Sequence, residues 1–143
     1  MAGDRVKTGA GLKRALKALG EQCEDECDAI LQKLTLDGFG ELVRRTPVDT
    51  GFLRSRWAVS VNTSPPADTV RNPGSGGFPP ASTPRLKPVW GDRVYLYNNT
   101  EYAYFIEHGT PTMRAQPMVE PTYFYLVETA NRLTKALKNK RTA

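Results

Sequence analysis

Residues 12–34 read LKRALKALGEQCEDECDAILQKL, and this stretch decides the fold class. Its apolar residues fall at Leu12, Leu16, Leu19, Cys23, Cys27, Ile30 and Leu34, spacings of four and three that keep them on one face of a helix. The opposite face is charged, with Lys13, Arg14 and Lys17 first, then Glu21, Glu24, Asp25, Glu26 and Asp28. The pattern predicts one long amphipathic helix running on toward Val43. Gly20 offers a place for a bend, and Gly38 and Gly40 weaken the last turns. Arg44-Arg45-Thr46-Pro47 should end it, because proline disfavours αR in the residue before it.

Working outward, Asp49 or Thr50 can cap a short helical turn, and Gly51 permits a tight start. Trp57 to Asn62 alternates bulky apolar with small or polar residues, as a half-buried strand does. Residues 63–92 change character, with seven prolines from Pro65 to Pro88 interleaved with Gly74, Gly76, Gly77 and Gly91. Such a stretch cannot hold a ladder of backbone hydrogen bonds, so it is expected to be an arm reaching out of the fold, with local strand pairing at its two ends. Deleting Pro73 to Pro84 should then leave a folded monomer. Arg93 to Tyr97 is a second strand, closed by the turn pair Asn98-Asn99. Tyr102 to His108 reads as a short helix with Tyr102, Phe105 and Ile106 on one face and Gly109 as its αL C-cap. From Pro121, a second amphipathic helix is traced by Phe124, Leu126, Val127, Ala130, Leu133 and Leu137, ending in a basic run whose last residues, 138–143, form a flexible tail. The fold class expected is α+β in a single domain over residues 1–143: long N-terminal helix, small antiparallel sheet with a proline- and glycine-rich arm, short helix and C-terminal helix.

The chain has 143 residues, 39% hydrophobic and 24% charged, which is one domain with a modest core and excludes a large multidomain enzyme. No apolar run approaches the ~18 residues of a membrane span, and the first twenty residues lack an apolar signal-peptide core, so a soluble, intracellularly made protein is expected. Cys23 and Cys27 are then reduced thiols. Lying in the apolar stripe, they read first as small buried hydrophobes; the other reading, half of a metal site, lacks partners, since His108 is the single histidine. No cofactor or metal site is expected.

Catalytic chemistry finds little support. Glu107 and His108 are adjacent on a helix, so they point about 100° apart and form no acid–base dyad with each other. Ser55 and Ser60 have no nucleophile-elbow context. The net charge of +5 makes polyanions plausible partners, yet no nucleic-acid readout motif appears.

Three segments carry a resemblance: Thr46-Pro-Val-Asp-Thr-Gly-Phe-Leu-Arg-Ser-Arg-Trp57, Tyr102-Ala-Tyr-Phe-Ile-Glu-His-Gly-Thr110, and Ala115-Gln-Pro-Met118. In this order they resemble the tail-completion, or neck, proteins of long-tailed double-stranded DNA bacteriophages, the group that includes the lambda minor tail protein Z. The chain departs from the family pattern in its long proline-rich arm and in Arg56, where serine is frequent. The resemblance implies a virion structural protein of the head–tail junction without catalytic residues, assembled in the host cytoplasm. Its expected partners are further copies in a ring, six-fold to match a tail tube, together with tail terminator or tail tube proteins and head-completion or adaptor proteins; it leaves room for non-specific contact with genomic DNA. A tail terminator and a small basic nucleic-acid-binding protein are the alternatives. Asp49, Thr50, Gly51 and Arg54, with Trp57, are expected at a first corner, and Glu107, Gly109, Thr110, Gln116 and Pro117 at a second. A folding role and a direct partner contact are both open for these residues.

Overall fold

The computed structural model describes residues 11–14, 17 and 24–142. The elements are α1 (Glu24–Arg45), α2 (Phe52–Ser55), β1 (Trp57–Val61), β2 (Val94–Asn98), α3 (Ala103–His108) and α4 (Val119–Thr142). Residues 11–14 and 17 are also helical; the expected bend at Gly20 and the thiol of Cys23 lie outside the described residues. Helices around a small antiparallel sheet make this an α+β protein.

The N-terminal apolar stripe does what its spacing requires. Cys27, Ile30 and Leu34 of α1 and Ala130 of α4 form one buried cluster, with Leu12, Trp90, Leu126, Leu133 and Leu137 packed around it. Further along, Phe39 and Leu42 join Leu53, Trp57 and Met118 in a second cluster, flanked by Leu96, Tyr102 and Ile106. Gly38 sits between the two, and helix α1 runs unbroken through it and Gly40. A Cβ at Gly38 would lie 2.9 Å from methyl carbons of both Leu96 and Leu126. A side chain at Gly38 would therefore collide with Leu96 of β2 and Leu126 of α4, so the glycine serves close packing rather than weakening a last turn. As expected from Pro47, α1 stops at Arg45.

The sheet has two strands, paired antiparallel from Trp57↔Asn98 to Val61↔Val94. Two strands alone are marginal, and this pair leans on α1 through Val59 and Leu96. The long segment between them is closed by a side-chain clamp. The Asn62 N–H donates to the Arg93 carbonyl at 2.7 Å, the Arg93 N–H to Asn62 Oδ1 at 2.9 Å, and the Asn62 amide nitrogen to Asp92 Oδ1 at 2.8 Å. Asn62 takes φ 59°, a left-handed value that asparagine tolerates.

Three expectations need correction. Residues 63–92 are irregular but do not reach out as a free arm: they fold back along the body. Pro88 is fully buried and its carbonyl accepts from Gln32 Nε2 at 3.1 Å, the Trp90 N–H donates to Asp28, and Val70 bridges to Thr100. Second, Phe105 is 50% exposed, because α3 turns Tyr102, Ala103 and Ile106 inward. Third, Phe124 is 61% exposed, since α4 buries the face of Thr122, Leu126, Thr129 and Ala130 instead.

Candidate functional site

The first corner begins at Thr46, whose hydroxyl donates to the Leu42 carbonyl at 2.6 Å and accepts the indole N–H of Trp57, also at 2.6 Å. A buried tryptophan needs an acceptor for that donor, and the end of α1 supplies it. Thr50 Oγ1 then accepts the Phe52 N–H at 3.3 Å, while Gly51 takes φ 86° at the start of α2. Two parts of the chain meet at Gly51: a Cβ there would lie 2.5 Å from the Phe78 carbonyl oxygen. The returning segment is bonded across the corner, Phe78 N–H to the Thr50 carbonyl at 3.1 Å and Ala81 N–H to the Arg54 carbonyl at 3.3 Å. The Phe78 ring meets Phe52 edge-on with centroids 5.1 Å apart. Asn98 Nδ2 donates to the Leu53 carbonyl at 2.7 Å, tying β2 to the same corner.

Asp49 is exposed beside this turn. Arg54 Nε is buried without a hydrogen-bond partner among the described residues. Such a donor costs stability unless something else satisfies it.

The second corner turns on Glu107. Its carboxylate accepts the N–H groups of Met118 at 2.6 Å, Val119 at 3.0 Å and Glu120 at 3.0 Å, the free donors that open α4. A charge on α3 thus caps α4, where the dipole favours an anion. Between them, Gly109 donates to the Phe105 carbonyl at 2.7 Å with φ 78° and ψ 176°. It terminates α3 but is not αL as expected; this extended positive-φ region is essentially confined to glycine. Thr110 and Met113 exchange backbone hydrogen bonds at 2.9 and 3.2 Å, and the Gln116 N–H donates to the Ile106 carbonyl at 2.8 Å. Pro117 is exposed, next to Met118, which is 1% exposed in the second core cluster.

The two corners face each other across a groove of about 370 Å³. Pro47 to Leu53 form one wall; Tyr102, Ile106 and Gln116 form the other, and Asn72 lines the groove as well. Asn72 Nδ2 donates to the Tyr102 hydroxyl at 3.3 Å, and burial, ahead of every other influence, pushes that phenol above its ordinary pKa. The groove therefore brings together Asp49, Thr50, Gly51 and Gln116, while Arg54, Trp57, Glu107, Gly109, Thr110 and Pro117 brace its walls or lie beyond them. Asn72, Phe78 and Asn98 were missed from sequence. Phe78 had a signal, being the single bulky apolar side chain in the glycine and proline run 73–80.

Ser55 Oγ is occupied by the Phe52 carbonyl at 2.7 Å, and the His108 ring lies 4.4 Å from that of Tyr104. Among the described residues no group of three or more His, Cys, Asp or Glu could hold a metal ion, and no helix is long and apolar enough to cross a membrane.

Residues 10–109 match the HK97-gp10-like family, described as a bacteriophage tail component. The match spans more than half of the chain, which therefore belongs to that family, and the family carries a place in the virion tail. It takes in both walls of the groove except Gln116, and ends at Gly109, before the turn into α4. Neither the curated proteins nor the solved structures gave a match.

Proposed function

We propose that this tail component is a tail-completion, or neck, protein: a non-enzymatic ring subunit that joins the tail to the head connector. The observation that carries the reading is the meeting of the two corner motifs, distant in sequence, at one braced groove. Side chains around these corners are left in water: Val48 is 55% exposed, Phe105 50% and Val119 49%. Exposed apolar groups set beside rigid corners suit contact with another protein surface. A ring subunit must offer two unlike faces to its neighbours, and an α+β body with a groove on one side and helix faces elsewhere provides them.

The partners proposed are further copies in a six-fold ring, the tail terminator or tube on one side, and head-completion or adaptor proteins on the other. The test is to assemble virions without the protein. Filled heads and finished tails that fail to join are expected; joined, infectious particles would refute the proposal, and overlong tails with normal joining would assign a terminator instead.

A further inference from the structure

Helix α4 turns Leu126, Ala130, Leu133 and Leu137 toward the first core cluster. At about 100° per residue, Arg132, Lys135 and Lys138 fall across roughly 120° of arc on the opposite side, with Asn131 and Asn139 among them. All five are exposed. Leu12 packs on the same cluster as Leu133 and Leu137, so the exposed Lys13, Arg14 and Lys17 come to the same end of the molecule, as does the exposed Lys140. None of these seven cations forms an ion pair with another described residue. Among the described side chains, residues 11–28 and 126–140 carry four acids, Asp25, Glu26, Asp28 and Glu128, against these seven cations, and Asp28 is already engaged by the Trp90 N–H.

We infer that this basic end is a binding surface for the phosphate backbone of duplex DNA. Stabilising a helix C-terminus accounts for cations in the last turn only, because the dipole effect fades within one turn. Arg132 and Lys135 lie further back, and Lys13, Arg14 and Lys17 belong to another helical stretch. Arginine, lysine and asparagine are residue types that contact phosphates without reading bases. From Arg132 to Lys138 is about 9 Å of helix axis, over which one DNA strand presents two or three phosphates. A membrane surface is a poorer fit, because an interfacial helix needs a free apolar face and that of α4 is buried in the core.

The test is binding of the full chain to a mixed-sequence duplex of about 30 base pairs, followed by fluorescence anisotropy from about 25 to 200 mM salt. If all seven cations meet phosphates, log affinity should fall against log salt with a slope of about −6. The triple variant R132Q/K135Q/K138Q should lose about 3 from the magnitude of that slope. A control triple, R56Q/R71Q/R114Q, removes three exposed cations that lie by the two corners and away from the first core cluster, and should leave the slope unchanged. Thermal melts check that both variants fold. No binding at the lowest salt, equal losses in the two triples, or equally tight binding to polyglutamate would overturn the inference. The assay uses the isolated protein, so it can fail while the neck assignment stands, and the reverse.

Discussion

Removing the carboxylate of Glu107 tests the second corner most directly. In Glu107→Ala the three amides that open α4 lose their acceptor. Met118 is almost wholly buried, so its N–H is left without a partner at a cost of about 1–2 kcal/mol. Val119 is half exposed and Glu120 exposed, so their amides turn to water at little cost. Loss of an anion from a helix N-terminus adds about 0.3–1 kcal/mol. The total, about 1.3–3 kcal/mol, should lower Tm by about 4–9 °C at roughly 3 °C per kcal/mol for a domain of this size. Glu107→Gln keeps one oxygen for Met118 but loses the charge, so about 1 kcal/mol and about 3 °C are expected. Scanning calorimetry gives both values, and amide exchange should quicken at residues 118–120 in the alanine variant. A Glu107→Ala melt within about 1 °C of wild type, or identical losses in the two variants, would refute the capping role.

Gly109→Ala would place a Cβ 2.8 Å from the Ala115 nitrogen and 2.9 Å from the Met113 oxygen, at a backbone conformation reserved for glycine. A loss of about 2–3 kcal/mol in chemical denaturation is expected, and a neutral result would mean that the 109–116 turn has no fixed shape. Arg54→Met removes a buried donor that has no partner among the described residues, so stability should stay unchanged or rise by about 1 kcal/mol. A loss of ring assembly with an unchanged melt would then make the guanidinium a partner contact, and a large loss of stability would make it part of the fold. Cys27 is fully buried, and desolvation first, then Asp28 and Glu26, raises its thiol pKa above the ordinary value. The folded pKa is the higher one, so the stability contributed by the neutral thiol is present below the unfolded value and declines as pH rises above it. In a Cys23→Ser background, alkylation at pH 8 should be slow in the native protein and fast in denaturant; fast native labelling would contradict the burial.

Periodicity made the helices legible because a buried stripe must recur every three or four residues, and Cys27, Ile30 and Leu34 do so in α1 as Leu126, Ala130, Leu133 and Leu137 do in α4. It failed at Phe105 and Phe124, where a bulky residue shares a helical face but the neighbouring element covers another. The strands were readable to within a residue or so, since alternation and turn chemistry both mark them. The tertiary ties were not readable. Nothing local says that Glu107 caps a helix starting twelve residues later, that Asn62 holds Arg93, or that Trp57 finds its acceptor at Thr46. Each rests on one polar side chain that reaches a distant segment, and such contacts leave no period in a sequence.

The proline-rich segment shows how that gap changes an expectation. Read as an arm, residues 73–84 are dispensable for folding; packed as they are, they cover Phe52, which is only 6% exposed, with Phe78. Deleting them strips a phenylalanine contact of about 1.5–3 kcal/mol. It also removes two backbone hydrogen bonds across the corner, at about 0.5–1.5 kcal/mol each. A shorter connection returns only about 0.5 kcal/mol of loop entropy, because that term grows with the logarithm of length. The deletion should therefore destabilise by about 2–5.5 kcal/mol, and Phe78→Ala alone should reproduce about half of it or more. If the deletion melted with the wild type, the segment would be an arm after all, and the need for glycine at position 51 would rest on its φ of 86° alone. If both variants lose stability as expected, Gly51 is a glycine because a returning backbone crosses it, and one wall of the groove is held in place by a segment without regular secondary structure.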